Sequence, residues 1–214
     1  MSPAFRRRPV RGGNRARRAS PQFPTLGRPR DARIDAEVVD AVLSALRDGG
    51  YRAVTMEGIA RRVGRARSSI YRRWPSKRHL VAYAVLSVLG EDPAADTGST
   101  RGDLEAAVAT LLRAFAGPLG AALPGLVADM AQDAALAAII RAKVLTPRRR
   151  SMREALERAQ RRGEARRDVD VETVLDMLTG PFYFRALFGH APVSRRSMRS
   201  IVDYVLRLLA PPGR

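Results

Sequence analysis

Residues 55–81 read TMEGIARRVGRARSSIYRRWPSKRHLV, and the fold is decided here. Thr55 suits the N-cap of a short helix reaching about Arg62, Gly64 supplies a turn, and a second short helix runs from Ala66 to about Arg72 until Pro75 breaks the chain. Ile59, Ala60 and Val63 share a face that meets Ile70 and Trp74. The second short helix is therefore held from behind by apolar side chains while Arg67, Ser68, Ser69 and Arg72 point outward. That arrangement is a helix-turn-helix whose second helix fits a major groove. Trp74 is read as a core plug, not a base-stacking platform. Ser76 is expected to cap a further helix, about 77–89, with an apolar stripe of Leu80, Val81, Ala84, Val85 and Val88; Lys77 and the N-terminus of that helix are placed to hold a backbone phosphate. His79, three residues after Ser76, is read as an exposed surface residue.

The charge distribution supports this reading. The 214 residues carry a net charge of +18, and the excess lies in two windows. Residues 1–30 hold nine arginines and no acid, and residues 61–78 hold Arg61, Arg62, Arg65, Arg67, Arg72, Arg73, Lys77 and Arg78, again with no acid. The remainder is nearly neutral, with 22 basic and 21 acidic residues. A local excess is expected where one part of a protein meets a polyanion. Compositional bias toward arginine would not by itself empty two windows of acids.

Upstream, residues 1–30 have five prolines and no hydrophobic period, so they are expected to be a disordered arm. Ile34, Val38, Val39, Val42, Leu43 and Leu46 then give a first helix, about 32–48, which Gly49-Gly50 stops. Downstream, the polar run EDPAADTGST at 91–100 marks a boundary, giving an arm (1–30), a DNA-binding domain (31–90) and a helical domain (91–214). The last contains helical patterns at about 101–116, 118–131, 133–145, 147–162, 171–188 and 195–209. Pro147 suits a first helical turn, Asp170 an N-cap, and Gly180-Pro181 is expected to kink its helix. No strand is convincing, so the fold class is all-α.

The run T55MEGIARRVGRARSSIYRRWPSKRHLV81 resembles the DNA-binding domain of the TetR family of bacterial repressors. In that family a Thr, an Ile-Ala pair, a Gly turn and a Tyr-Arg-x-(Phe/Trp)-Pro-Ser-Lys ending recur in this order. The resemblance covers about residues 31–90 and implies an all-helical homodimer: three N-terminal helices bind a double-stranded DNA operator, a fourth connects, and a helical core binds a small-molecule effector that usually releases the operator. By position it puts backbone contacts on Thr55, Tyr71 and Lys77 and base reading on Arg67, Ser68 and Ser69. The chain departs from the pattern at Arg65-Ala66, where the family commonly has Val-Ser. The hydroxyl cap is missing there, at a cost of about 1 kcal/mol, and Ser68 or a shifted start is expected to compensate. Arg65 joins the candidate DNA contacts. In the arm, Gly27-Arg28-Pro29-Arg30 is similar to an AT-hook core, which would send Arg28 and Arg30 into a narrow minor groove.

Val171, Val174, Leu175, Leu178 and Phe182 repeat at helical spacing on one C-terminal segment, and Met198, Ile201, Val202, Val205, Leu206 and Leu209 on the next. Such faces serve either as intramolecular core or as a dimer surface; the family's four-helix dimer bundle favours the dimer. Candidate liners of an effector pocket are Phe115, Leu126, Met130, Phe182, Tyr183 and Phe184, which suit a hydrophobic molecule. Without cysteine, and with only His79 and His190, an ordinary zinc site and disulfides are excluded and no cofactor is expected. No apolar run has the length of a membrane span, and a cytoplasmic location with no membrane partner is expected. The absence of a nucleophile-base pair or phosphate-binding glycine loop argues against an enzyme. The expected function is a homodimeric transcriptional regulator, as a repressor; the competing class is an architectural nucleic-acid binder that uses its arginine arm without sequence preference.

Overall fold

A computed structural model describes residues 32–89 and 95–211; the expectations for the arm, including Arg28 and Arg30, lie outside the described residues. The described residues form ten α-helices: α1 Ala32–Ala53, α2 Met56–Arg62, α3 Arg67–Arg73, α4 Lys77–Val88, α5 Thr100–Ala116, α6 Pro118–Gln132, α7 Ala134–Ile140, α8 Thr146–Arg161, α9 Val171–Phe188 and α10 Arg195–Leu209. No strand occurs among the described residues.

Local chemistry sets most of these ends. Gly49 and Gly50 have non-helical dihedrals, so α1 breaks where the glycine pair stands and one further turn carries Tyr51. The Gly58 N–H donates to Thr55 Oγ1 at 3.0 Å, opening α2. At its other end the Arg65 N–H reaches the Ala60 carbonyl (2.9 Å) and the Gly64 N–H the Arg61 carbonyl (3.2 Å). This closure needs a left-handed residue, and Gly64 supplies it with φ +61°.

One expectation is corrected in the C-terminal half. No break separates the segments expected at 133–145 and 147–162: a π turn, Arg141–Leu145, joins α7 to α8. The Thr146 N–H bonds the Arg141 carbonyl, five residues back, so the coil widens just before Pro147, whose ring would otherwise crowd the preceding turn. Helix α9 is also continuous, passing through Gly180-Pro181 from Val171 to Phe188. Asp170 caps it by accepting from the Glu172 and Thr173 N–H groups.

Two apolar clusters form the interior. One joins α1 to α4 through Val42, Leu46, Ile59, Ile70, Trp74, Leu80 and Val81, and continues without interruption into Leu126 of α6, Leu136 of α7 and Val144 of the π turn. The other unites α5, α8, α9 and α10 around Leu111, Leu156, Leu178, Phe182 and Val202. The four N-terminal helices are thus seated on α6, not on the terminal helix pair. Gly125 makes that seat close: a Cβ there would collide with the Tyr51 ring.

Candidate nucleic-acid interface

Helix α3 is pinned by its inner face and open on its outer one. Ile70 and Trp74 are 0% and 2% exposed, against Ile59 and Ala60 of α2 and the core behind them. Trp74 also meets the Tyr83 ring at 5.3 Å, so it is a core plug as its position suggested. Arg65, Arg67, Ser68, Tyr71 and Arg72 are exposed, and Ser69 is half-buried. Thr55 is exposed while its oxygen caps α2, which leaves its hydroxyl hydrogen available to a phosphate. The structure thus brings Thr55 and the α3 residues onto one exposed unit of two short helices.

The start of α3 is capped by backbone alone. Ala66 occupies the N-cap without a side-chain bond, the Ser69 N–H reaches the Ala66 carbonyl at 2.9 Å, and Arg67 is the first helical residue. Ser68 does not compensate for the missing hydroxyl. The register moves by one residue from that read in the sequence.

The absence of acids from residues 61–78 does not carry over into space. Arg67 pairs with Glu57 of α2, Arg65 lies 3.7 Å from Glu37 of α1, and Arg62 is 3.8 Å from Asp48 and bonds Ser44 Oγ at 2.7 Å. Arg73 pairs with the buried Asp35, and Arg78 with Asp133 at 3.1 Å. Arg61 and Arg72 are exposed and have no ion pair among the described residues. Sequence reasoning missed these acids because they come from other helices; Glu57 stands only four residues before the acid-free window, and that proximity was the one available signal.

The start of α4 also differs from expectation. Ser76 sits at the N-cap position without capping, and its Oγ instead meets His79 Nδ1 at 2.8 Å, so His79 is a half-buried partner and not a free surface residue. Lys77 does not stand clear as a phosphate ligand. Its Nζ lies 4.3 Å from the centre of the Tyr51 ring, and desolvation lowers its pKa against the opposing pull of Asp129. Tyr51 itself donates to Asp129 of α6, and its own burial together with that carboxylate raises the phenol pKa. Asp133, which caps α7 by accepting from the Leu136 N–H, is held below the usual carboxylate range by that bond and by Arg78 and His79. The first turn of α4 is therefore tied to α6 and α7.

The six pocket candidates do not come together. Phe115 and Tyr183 meet edge-on at 5.0 Å beside the fully buried Phe182, in the α5–α9 core. Burial raises the Tyr183 pKa, opposed by Arg148 and Arg149. Leu126 and Met130 belong to the other cluster, under α1 and α4. Phe184 points outward and is 54% exposed. A groove of about 580 Å³ does open on the flank of the helix-turn-helix, but Glu37, Asp40, Ala41, Ser44, Arg62 and Val63 line it.

The expected dimer faces are corrected as well. Val174, Leu175, Leu178, Met198, Val202, Val205 and Leu209 are buried inside the protomer, and Val171, Ile201 and Leu206 are half-buried against the same core. Exposed instead are Met177, Phe184, Leu187 and Phe188 of α9 and Tyr204 and Leu208 of α10. Helix α9 carries large apolar side chains on two sides, one buried in the protomer and one exposed.

An open, basic second helix on an apolar support defines a helix-turn-helix DNA-binding regulator. The comparisons agree. Residues 38–84 match the model of bacterial regulatory proteins of the tetR family, and residues 94–205 match the tetracyclin repressor-like C-terminal domain. The DNA-binding transcriptional repressor TetR of Mycobacteroides abscessus is 30% identical over 180 residues, covering 83% of this chain and 94% of that protein. The HTH-type transcriptional regulator AqdR of Rhodococcus erythropolis is 31% identical over 71% of this chain and 73% of its own length. The crystal structure of the TetR family regulator SCO0332 superposes with a TM-score of 0.60 and 33% identity, over 83% of this chain and 99% of that one. The chain belongs to the TetR family of bacterial transcriptional regulators.

Proposed function

We propose that this regulator is a homodimeric repressor that binds a palindromic operator through α3 and leaves it when a small apolar molecule enters the C-terminal core. The observation that carries the proposal is the outer face of α3, where Arg67, Ser68, Tyr71 and Arg72 are exposed while Ile70 and Trp74 anchor the helix from behind. Base edges fall to Arg67, Ser68 and Ser69, and phosphates to Thr55, Arg65, Tyr71 and Arg72, with Arg61 as an added candidate. Lys77 reaches a phosphate only by leaving Tyr51. Arg28 and Arg30 add a minor-groove contact from the arm.

The dimer is assigned to Met177, Phe184, Leu187, Phe188, Tyr204 and Leu208, because large apolar side chains concentrated on two adjacent helices favour a partner. The effector site is assigned to the surroundings of Phe115, Phe182 and Tyr183. The protein acts in the cytoplasm, on DNA, and turns over no substrate.

Selection of duplexes from a random library at about 0.15–0.2 M salt, where nonspecific phosphate attraction is weak, tests this. The expected result is a palindrome with half-sites about one helical turn apart. Binding that scales only with DNA length and collapses with salt would establish the architectural reading instead.

A further inference from the structure

We infer that Glu57 is a specificity-positioning residue: it holds the Arg67 guanidinium in one orientation for base reading and discourages Arg67 from settling on a phosphate. The inference rests on α3 being the reading helix. It adds a residue on α2, outside the recognition helix, that carries the wrong charge for DNA and yet lies at its contact face.

The geometry is specific. Glu57 stands in the first turn of α2, Arg67 is the first residue of α3, and Arg67 Nη2 donates to Glu57 Oε1 across the turn. Both side chains are open to solvent, 63% for Arg67 and 49% for Glu57, so in the free protein the pair contributes little to stability. Its value appears where water is displaced. One of five guanidinium N–H groups is committed to Glu57, and those remaining suffice for a two-bond pair with adjacent acceptors such as O6 and N7 of a guanine. A long side chain held at one corner loses less rotamer freedom when it makes that pair.

The carboxylate also penalises the wrong mode. An Arg67 that swings to a phosphate leaves Glu57 unpaired beside the phosphodiester backbone, where like charges repel, whereas an Arg67 directed at a base edge keeps its partner. Affinity for any DNA is lowered while the difference between right and wrong sequence is raised. Arg72, also exposed on α3, has no such partner among the described residues, which suits a phosphate contact. A carboxylate in a first helical turn also favours the helix dipole, but that role would not touch base preference.

The experiment uses the full-length protein and the duplex selected by the wild type. The base pair read by Arg67 is first located as the pair whose mutation penalty vanishes in Arg67→Ala. At that pair, Glu57→Gln is expected to lower discrimination about tenfold while binding to unrelated DNA tightens, and Glu57→Asp is expected to restore part of the discrimination. In an Arg67→Ala background, Glu57→Gln should change nothing at that pair. Wild-type discrimination retained in Glu57→Gln, or an equal loss with and without Arg67, would overturn the role of Glu57. A wild type that selects no sequence would overturn the reading of α3 itself, and this role with it.

Discussion

The two surfaces proposed to meet other molecules are built in opposite ways. On the helix-turn-helix, cations are displayed and partly compensated: Arg67, Arg65 and Arg62 reach the face from α3, the turn and the end of α2, and Glu57, Glu37 and Asp48 answer them from α2 and α1. On the outer side of α9 and α10, Met177, Phe184, Phe188 and Tyr204 stand exposed to solvent, with the Phe184 and Phe188 rings 4.7 Å apart. A charged face tolerates water and can wait for its partner. An exposed aromatic face is stable only when covered. The difference teaches which association is obligatory in this account, the dimer, and which is reversible, the operator.

Breaking the apolar face is expected to have the largest effect. Phe184→Asp should convert the dimer to a folded monomer, because twofold symmetry doubles a loss of about 2 kcal/mol per side. Sedimentation equilibrium with circular dichroism checks this, and an unchanged dimer mass would remove Phe184 from the interface. The inner face of the same helix should respond differently. Leu178→Ala, at a fully buried position, is expected to lower unfolding stability by about 3 kcal/mol, measured by urea titration.

At the charged surface the effects are smaller. Arg67→Ala should weaken operator binding by about 1–3 kcal/mol, with dimer mass and helicity intact; equal binding to operator and scrambled DNA both before and after the change would strip Arg67 of its role. Smallest of all, Ala66→Ser should return a hydroxyl cap to α3 and raise stability by about 1 kcal/mol, visible as a rise in Tm.

The comparison also explains what could be read from the amino-acid order. Within residues 55–81, Thr55 and Gly64 act through neighbours a few positions away, and Trp74 packs on the apolar face of the preceding short helix in the same segment, so their cap, turn and plug were legible. The partners of the arginines were not, because Glu37, Asp35 and Asp133 arrive from helices folded against that segment, and a window of sequence counts only its own charges. The glycine pair at 49–50 stopped α1 where expected, whereas α9 runs on as one helix through Gly180-Pro181, because a proline inside a helix removes one backbone bond without ending the hydrogen-bonded run around it. Periodicity in α9 and α10 found an apolar stripe and could not say who covers it. Burial answered: the protomer itself takes the stripe that was read, and a second stripe, running through Met177 and Phe184, is left over.

Both surfaces are tested together by changing the spacing of the operator. Affinity should be measured for the selected palindrome and for versions whose half-sites are moved apart by about half a helical turn and by a full turn. A rigid dimer with two copies of α3 predicts that the half-turn insertion drops affinity to that of a single half-site, because the second copy then faces the wrong side of the duplex. Affinity that is indifferent to spacing would contradict the account, leaving a protein that holds DNA without two fixed reading helices.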